Sequence, residues 1–327
     1  MKTLVTGSAG HLGEALMRSL QDAGQEALGL DILDSPYTNE VGSITERSLV
    51  RRCMADTKVV FHTATLHKPH VATHSRQDFI DTNITGTLNL LEEAVAAGVD
   101  AFIFTSTTSV FGDALVPPPG APAAWITEDV TPIPKNIYGA TKAAAEDLCQ
   151  LFHRNQGLSC LILRTSRFFP EEDDNRAMRE AYGDDNMKTN ELLSRRADLE
   201  DIVSAHLLAA KQAASIGFGR YIISATTPFS PEDLEDLRED ASSVVRRRVP
   251  GFEAEYARRG WTMFPGIDRV YVNALARREL GWQPRYDFVQ AIACLKEDKD
   301  PRSVLSRLVG SKGYHGEAFA DGPYPVD

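Results

Sequence analysis

A chain of 327 residues with 43% hydrophobic and 25% charged residues can bury a core in one large domain, or one domain with an appended lobe. Its net charge of −11 argues against nucleic acid or an anionic membrane as the main partner, and the basic runs Arg195–Arg196 and Arg246–Arg248 are too short to reverse that. Four scattered cysteines without a CxxC read as reduced thiols of a cytoplasmic protein; the apolar start is only a strand long, not a signal peptide, and no apolar run reaches the ~18 residues of a membrane span.

The chain opens with an apolar strand that enters a turn, Gly7-Ser8-Ala9-Gly10-His11-Leu12-Gly13. A helix follows, with Leu12, Leu16, Met17 and Leu20 on one face. Gly7 suits the tight turn, Gly10 lets backbone approach a pyrophosphate, and Gly13 allows close packing. The helix start offers N–H groups to the phosphates, so Ala9, His11 and Leu12 join the glycines as cofactor contacts. The next apolar run ends at Asp31, placed to accept from adenosine ribose hydroxyls and to repel a 2′-phosphate. No Arg or Lys lies between Arg18 and Arg47, which favours NAD over NADP.

Further along, the pattern predicts a strand at 59–62, a helix over 79–97 stopped by Gly98, a strand at 101–105, a helix over 137–153 and a strand at 159–163. Such alternation predicts an α/β fold: a doubly wound, Rossmann-type parallel sheet. The proline-rich stretch 116–122 reads as a surface loop. After Pro170 the texture changes: an acidic turn at 171–174, a helix over 197–214, a strand at 220–224, a helix opening at Pro231, then segments 274–280 and 288–296. The expected division is a core over 1–165, a smaller substrate lobe over 166–298 interleaved with late core elements, and a tail over 299–327. The tail is either loosely ordered or docks through Tyr314, Phe319 and Tyr324 against a neighbour or the site mouth.

Two constellations carry chemistry. Tyr138 and Lys142, four apart near a helix start, share a face. A nearby ammonium, together with the positive nicotinamide ring, lowers a phenol's pKa from about 10, so Tyr138 can act as acid/base while Lys142 also reaches the nicotinamide ribose. The alternative is an exposed tyrosine and lysine on a helix. The run Thr105-Ser106-Thr107-Thr108-Ser109 leaves the fourth strand where a ligand-facing hydroxyl belongs, or bonds only to local backbone.

Together these motifs resemble the extended short-chain dehydrogenase/reductases of the NAD-dependent epimerase/dehydratase kind, over most of residues 1 to about 295. TGSAGHLG, Asp31, FHTAT, TNITGT, TSTTSVFG, YGATK and the arginine of LILRTS carry the likeness. The resemblance implies that Thr107 bonds the reacting oxygen, that Tyr138 is the acid/base with Lys142 its partner, that Asn83 is structural beside the cofactor, and that Ala64 and Thr105 lie against it. Ser43 and Ile44 fall where relatives cup adenine, although relatives often have Asp before the Ile. Thr108 and Ser109 stand where dehydratases carry an Asp-Glu pair, and Phe111 replaces the usual tyrosine.

For the substrate, only 32 positions separate Arg164 from Arg196, little room for a uridine diphosphate pocket. The stretch RTSRFFPEEDDNRAM resembles uronate dehydrogenases instead. That likeness makes Arg176 a partner for a substrate carboxylate or else a surface arginine answering its acidic neighbours, with Arg196 a further candidate. Thr107 and Thr108 join them as substrate contacts. His62, His67, His70 and His74 invite a metal reading, but no cysteine joins them and Pro69 interrupts, so no metal is expected; His67, Lys68 or His70 line the substrate mouth instead. The implied function is an NAD-dependent oxidoreductase or epimerase acting on a secondary alcohol of a sugar or sugar acid. The alternatives are a sugar-nucleotide epimerase like UDP-glucose 4-epimerase with retained NAD, and a non-catalytic NAD-binding sensor. Relatives imply a homodimer through the helices near 83–98 and 138–155.

Overall fold

The structure, a computed structural model, describes residues 2–313. In chain order its elements begin with β1 (Lys2–Thr6), α1 (His11–Asp22), β2 (Ala27–Asp31), β3 (Glu40–Val41), α2 (Arg47–Met54), β4 (Thr57–His62), α3 (Arg76–Ile80), α4 (Gly86–Ala97), β5 (Ala101–Thr107) and β6 (Ala124–Ile126). There follow α5 (Ile137–Gln156), β7 (Cys160–Thr165), α6 (Arg176–Ala181), α7 (Asp184–Glu191), α8 (Leu199–Ile216) and β8 (Phe218–Ile223). The last stretch holds α9 (Leu234–Glu239), α10 (Ala241–Arg248), α11 (Phe252–Arg259), β9 (Arg269–Tyr271), α12 (Ala274–Leu280), α13 (Phe288–Lys296) and α14 (Val304–Val309).

Among the described residues, seven strands pair in the order β3-β2-β1-β4-β5-β7-β8, every neighbouring pair parallel. Strands buried on both faces need apolar residues at successive positions. Val5, Phe61, Ile103 and Leu161 therefore point into one core with α1, α8 and Trp282. Their neighbours Leu4, Val60, Phe102 and Ile162 point into the other with α2, α4 and α5. The strand order reverses between β1 and β4, and a ligand crevice opens at such a switch point beyond the strands' carboxyl ends. The doubly wound sheet and the smaller late lobe are as the pattern predicts. The lobe has its own core, in which Leu237, Val244, Phe252, Tyr256 and Phe288 meet.

Three differences matter for the site. The helix expected from Phe79 starts at Arg76, where Ser75 and Asp78 form a capping box, and a π-helical turn over Asp81–Thr85 interrupts it. Short strands β6 and β9 form a second parallel sheet, too brief for a period-2 pattern to register. The loosely-ordered-tail reading is corrected for residues up to 313: α14, capped by Ser303 and anchored by buried Val309, packs on α1 and α8. Tyr314, Phe319 and Tyr324 lie outside the described residues.

Candidate active site

The carboxyl ends of the strands frame a cleft of about 920 Å³. Gly7 turns the chain at φ +75°, and a Cβ there would lie 2.6 Å from the Ala64 nitrogen. A Cβ on Gly13 would sit 1.8 Å from the Gly7 carbonyl oxygen, so this glycine is needed for the turn itself to close. Exposed Gly10 has no side-chain cap, which leaves the opening N–H groups of α1 facing a cleft able to take a pyrophosphate. Asp31 fastens the turn: its Oδ2 accepts the Ala9 N–H at 2.9 Å and its Oδ1 the Leu33 N–H at 2.9 Å. A carboxylate oxygen accepts more than one bond, so both can still receive ribose hydroxyls. His11, Leu12, Ser43, Ile44 and Ala64 line the same end.

Asn83 does not line the cleft; it builds the wall. From the π turn its Oδ1 accepts from Thr65 Oγ1 and the Leu66 N–H at 2.9 Å each. Its Nδ2 donates to the Leu66 carbonyl and to Thr141 Oγ1, tying the loop after β4 to α5. Buried His62 completes the support. Thr87 Oγ1 donates to the Asn83 carbonyl and so accepts from His62 Nε2, leaving Nδ1 to accept from Thr6 Oγ1. Burial holds this imidazole neutral, its pKa well below the usual value.

Thr105, Thr107 and Thr108 rise from the end of β5 along the cleft. Neutral His206, brought down by burial to about 4, accepts the Thr105 hydroxyl proton at 2.9 Å. Thr107 Oγ1 accepts the Ser109 N–H at 3.1 Å, which leaves its own proton free to point toward the cleft that Tyr138 also lines. Tyr138 opens α5, whose N-cap Asn136 accepts the Gly139 N–H. Glu146, two turns on, takes Ser106 Oγ at 2.6 Å and Arg164 Nη2 at 2.7 Å, pinning α5 to β5 and β7.

Lys142, expected to act on the phenol together with the positive nicotinamide ring, is not the exposed lysine of the alternative reading. Lys142 is buried behind the cleft wall, its Nζ 4.0 Å from the centre of the Phe104 ring. Desolvation raises Tyr138 to about 12, against the opposing effect of Thr107, and brings Lys142 down to about 7, against Cys149 and Glu146.

The substrate end departs further from expectation. Arg176 stands exposed on α6, paired with Glu180 at 2.7 Å, and does not line the cleft. Arg196 is buried, donating to Glu191 and the Phe169 carbonyl, and faces a second cavity of about 340 Å³. His67, Lys68 and His70 do reach the mouth, on a short 3₁₀ turn over Lys68–His70. His67 is kept neutral mainly by burial, its ring centre 6.4 Å from that of Tyr138. Sequence reasoning missed Lys135, Ser166, Arg167, Arg269 and Tyr271, all lining the cleft, while Arg195 of the short basic run lines it too. Of the missed residues, Arg167 carried a signal, since it lay within the quoted RTSRFFP stretch.

Residues 3–223 match the NAD dependent epimerase/dehydratase family. The UDP-glucose 4-epimerase of Azospirillum brasilense is 26% identical, the alignment covering 98% of this chain and 96% of that protein. A short-chain dehydrogenase/reductase superfamily protein from Agrobacterium tumefaciens, solved with bound NAD, superposes with a TM-score of 0.63 at 22% identity, covering 91% of this chain and 98% of that one. The UDP-glucose 4-epimerase of Thermotoga maritima, solved with UDP-glucose, gives 0.61 at 22% identity over 91% and 99%. Those two likenesses speak for the fold. No helix among the described residues is long and apolar enough to cross a membrane.

Proposed function

This chain belongs to the NAD-dependent epimerase/dehydratase family and is an enzyme of it; from that premise we propose that it oxidises a secondary alcohol of a sugar or sugar acid, with NAD as cofactor and Tyr138 as acid/base. The observation that carries the reading is that Tyr138 and Thr107 line one cleft with the glycine turn and Asp31, Thr107 standing where it opposes the upward push of burial on the phenol. NAD bound along that turn supplies the hydride acceptor. Gly7, Gly10 and Gly13 give the pyrophosphate its space, Asp31 holds the adenosine ribose, and Ser43, Ile44 and Ala64 flank the adenosine end.

In the reacting complex Thr107 donates its proton to the substrate oxygen and Tyr138 takes the hydroxyl proton. Tyr138 is protonated at neutral pH while the cleft is unliganded, since its pKa is about 12. In this reading it gains basicity as positive charge enters beside it. Beside Thr107, Thr108 and Ser109 hold no carboxylate, which speaks against dehydration as the reaction. Residues 1–165 are assigned to the cofactor and the 166–298 lobe to the sugar. A cytoplasmic homodimer belongs to this reading, and exposed Val95 on α4 and Leu151 on α5 are apolar side chains suited to such a contact.

The test is a screen of aldoses, uronates and sugar nucleotides, read by NADH appearance and by product stereochemistry. Accumulating NADH marks a dehydrogenase; inversion without net NADH marks an epimerase; neither, across all three classes, overturns the proposal. A sugar nucleotide is the second reading. Phe168 and Phe169 line both the cleft and the 340 Å³ cavity, where Lys188, Arg196, Arg259 and Trp261 supply cations and an aromatic ring.

A further inference from the structure

Six basic side chains line the cleft, from Lys68, Lys135, Arg167, Arg195, Arg269 and Lys312, against the acids Asp31 and Asp78. Four of the six are already answered. Lys68 pairs with Asp174, and Arg167 with Asp173, Asp174 and Glu191. Arg195 meets Glu191 at 3.0 Å, and Lys312 pairs with Glu14. Arg269 and Lys135 have no carboxylate partner among the described residues. In a chain of net charge −11, uncompensated positive charge inside a cleft is a selective feature.

The two are neighbours in the structure. Arg269 Nη1 donates to the carbonyls of Gly112 at 2.7 Å and Ala114 at 3.3 Å, which aims the guanidinium. The backbone of 133–135 lies on that same glycine: a Cβ on Gly112 would be 2.6 Å from the Lys135 nitrogen. Lys135 immediately precedes Asn136, the N-cap of α5, and is three residues from Tyr138. Period 2 along β9 puts Tyr271 on the same side as Arg269, and both line the cleft. Arg164 shows what a structural arginine does here: it spends its Nε and Nη2 on Glu146. Among the described residues Arg269 makes no hydrogen bond through those two nitrogens, the edge that grips a carboxylate or phosphate with two bonds.

We propose that Arg269 and Lys135 form the anion-recognition end of the substrate site, so that the sugar presents a carboxylate or a phosphate there while its reacting alcohol lies at Tyr138 and Thr107. The inference rests on the oxidoreductase reading above and narrows its substrate to an anionic sugar.

The experiment measures calorimetric binding of D-glucuronate, UDP-glucose and D-glucose to the NADH-loaded protein, with NADH appearance from each in parallel. Native protein is expected to bind at least one anionic probe more tightly than glucose, and less tightly as salt rises. Arg269→Gln and Lys135→Gln should each weaken that binding about 10- to 100-fold and shift glucose binding less than about twofold. Arg269→Lys should recover part of the loss. Loss confined to glucuronate identifies a carboxylate; loss confined to UDP-glucose identifies a phosphate. Arg269→Gln gives up two carbonyl contacts, so its thermal melt is recorded; exposed Lys135 makes no side-chain hydrogen bond among the described residues and keeps the test decisive. Unaltered anion binding in both glutamine variants, or glucose binding as tightly as the anions, overturns the inference while NADH formation leaves the parent reading standing. No binding and no NADH from any probe overturns both.

Discussion

His11 Nε2 lies 2.8 Å from Glu171 Oε1, tying the first turn of α1 to the loop after β7 across 160 positions of sequence. The same carboxylate oxygen accepts from Ser311 Oγ at 2.8 Å and from the Lys312 N–H at 2.9 Å, and the Lys312 ammonium pairs with Glu14. His11, Lys312 and Gly313 all line the cleft, so three distant segments close on one carboxylate at the glycine-turn end.

That clasp should govern how fast the cofactor leaves. Burial pushes Glu171 up, but the bonds from His11, Lys312 and Ser311 bring it down to about 2. A depressed acid gives its full contribution above its unfolded value near 4.5 and loses it as pH falls toward 2. At pH 7, Glu171→Gln keeps the shape and removes the charge. Bound NADH should then dissociate about 5- to 20-fold faster, followed by stopped-flow fluorescence. A release rate equal to that of the native protein would mean that the three segments meet without restraining the cofactor.

Tyr138→Phe deletes the phenol hydroxyl and leaves the rest of the cleft lining, Thr107 included, in place. Turnover should drop about a thousandfold, since positioned acid–base groups contribute roughly 10²–10⁴. NAD affinity, measured by titration, should stay within about twofold because the glycine turn and Asp31 are untouched. A variant that turns over at the native rate would remove Tyr138 from the reaction.

The cofactor half was legible because its signals are local. Gly7, Gly10, Gly13 and Asp31 lie within one strand–helix–strand unit, and their backbone roles follow from residue type alone. Lys142 was legible as a position but not in its charge state, which depends on how deeply α5 buries it beside Phe104. The substrate end was mostly illegible. Arg176 and Arg269 look alike in sequence; what separates them is that α6 stands exposed while three residues of β9 pair with β6 beside the cleft. No periodic pattern announces a three-residue strand, and the partner that fixes Arg269, the Gly112 carbonyl, is 157 positions away.

Asp31 has two duties that substitutions can separate. Its Oδ2 holds the Ala9 N–H, and in the proposed reading its negative charge faces the place a 2′-phosphate would take. Asp31→Asn keeps an acceptor for the glycine turn but drops the charge, so preference for NAD over NADP should narrow while NAD binds only a few-fold weaker. Asp31→Ala also frees the Ala9 N–H, and NAD affinity should fall about tenfold. Parallel titrations with the two dinucleotides decide it; an unchanged preference in both variants would take the ribose away from Asp31.

Lys142 offers a prediction about stability rather than rate. Its pKa is lowered to about 7, because desolvation of the ammonium outweighs the pull of Cys149 and Glu146. Between about pH 7 and the unfolded value near 10.5 the unfolded chain therefore holds more protons, and stability from this group rises with pH. Below pH 7 both states are protonated and the full cost of burying the charge is present, on the order of 3–5 kcal/mol. Lys142→Met removes that cost at similar length. In urea melts without cofactor, the variant should gain about 2–4 kcal/mol over the native chain at pH 6, and the gain should shrink toward pH 9. A gain that does not vary with pH would show that Lys142 is not desolvated as its place behind Phe104 requires. A pH-dependent gain with turnover abolished would show an ammonium kept for chemistry at the expense of the fold.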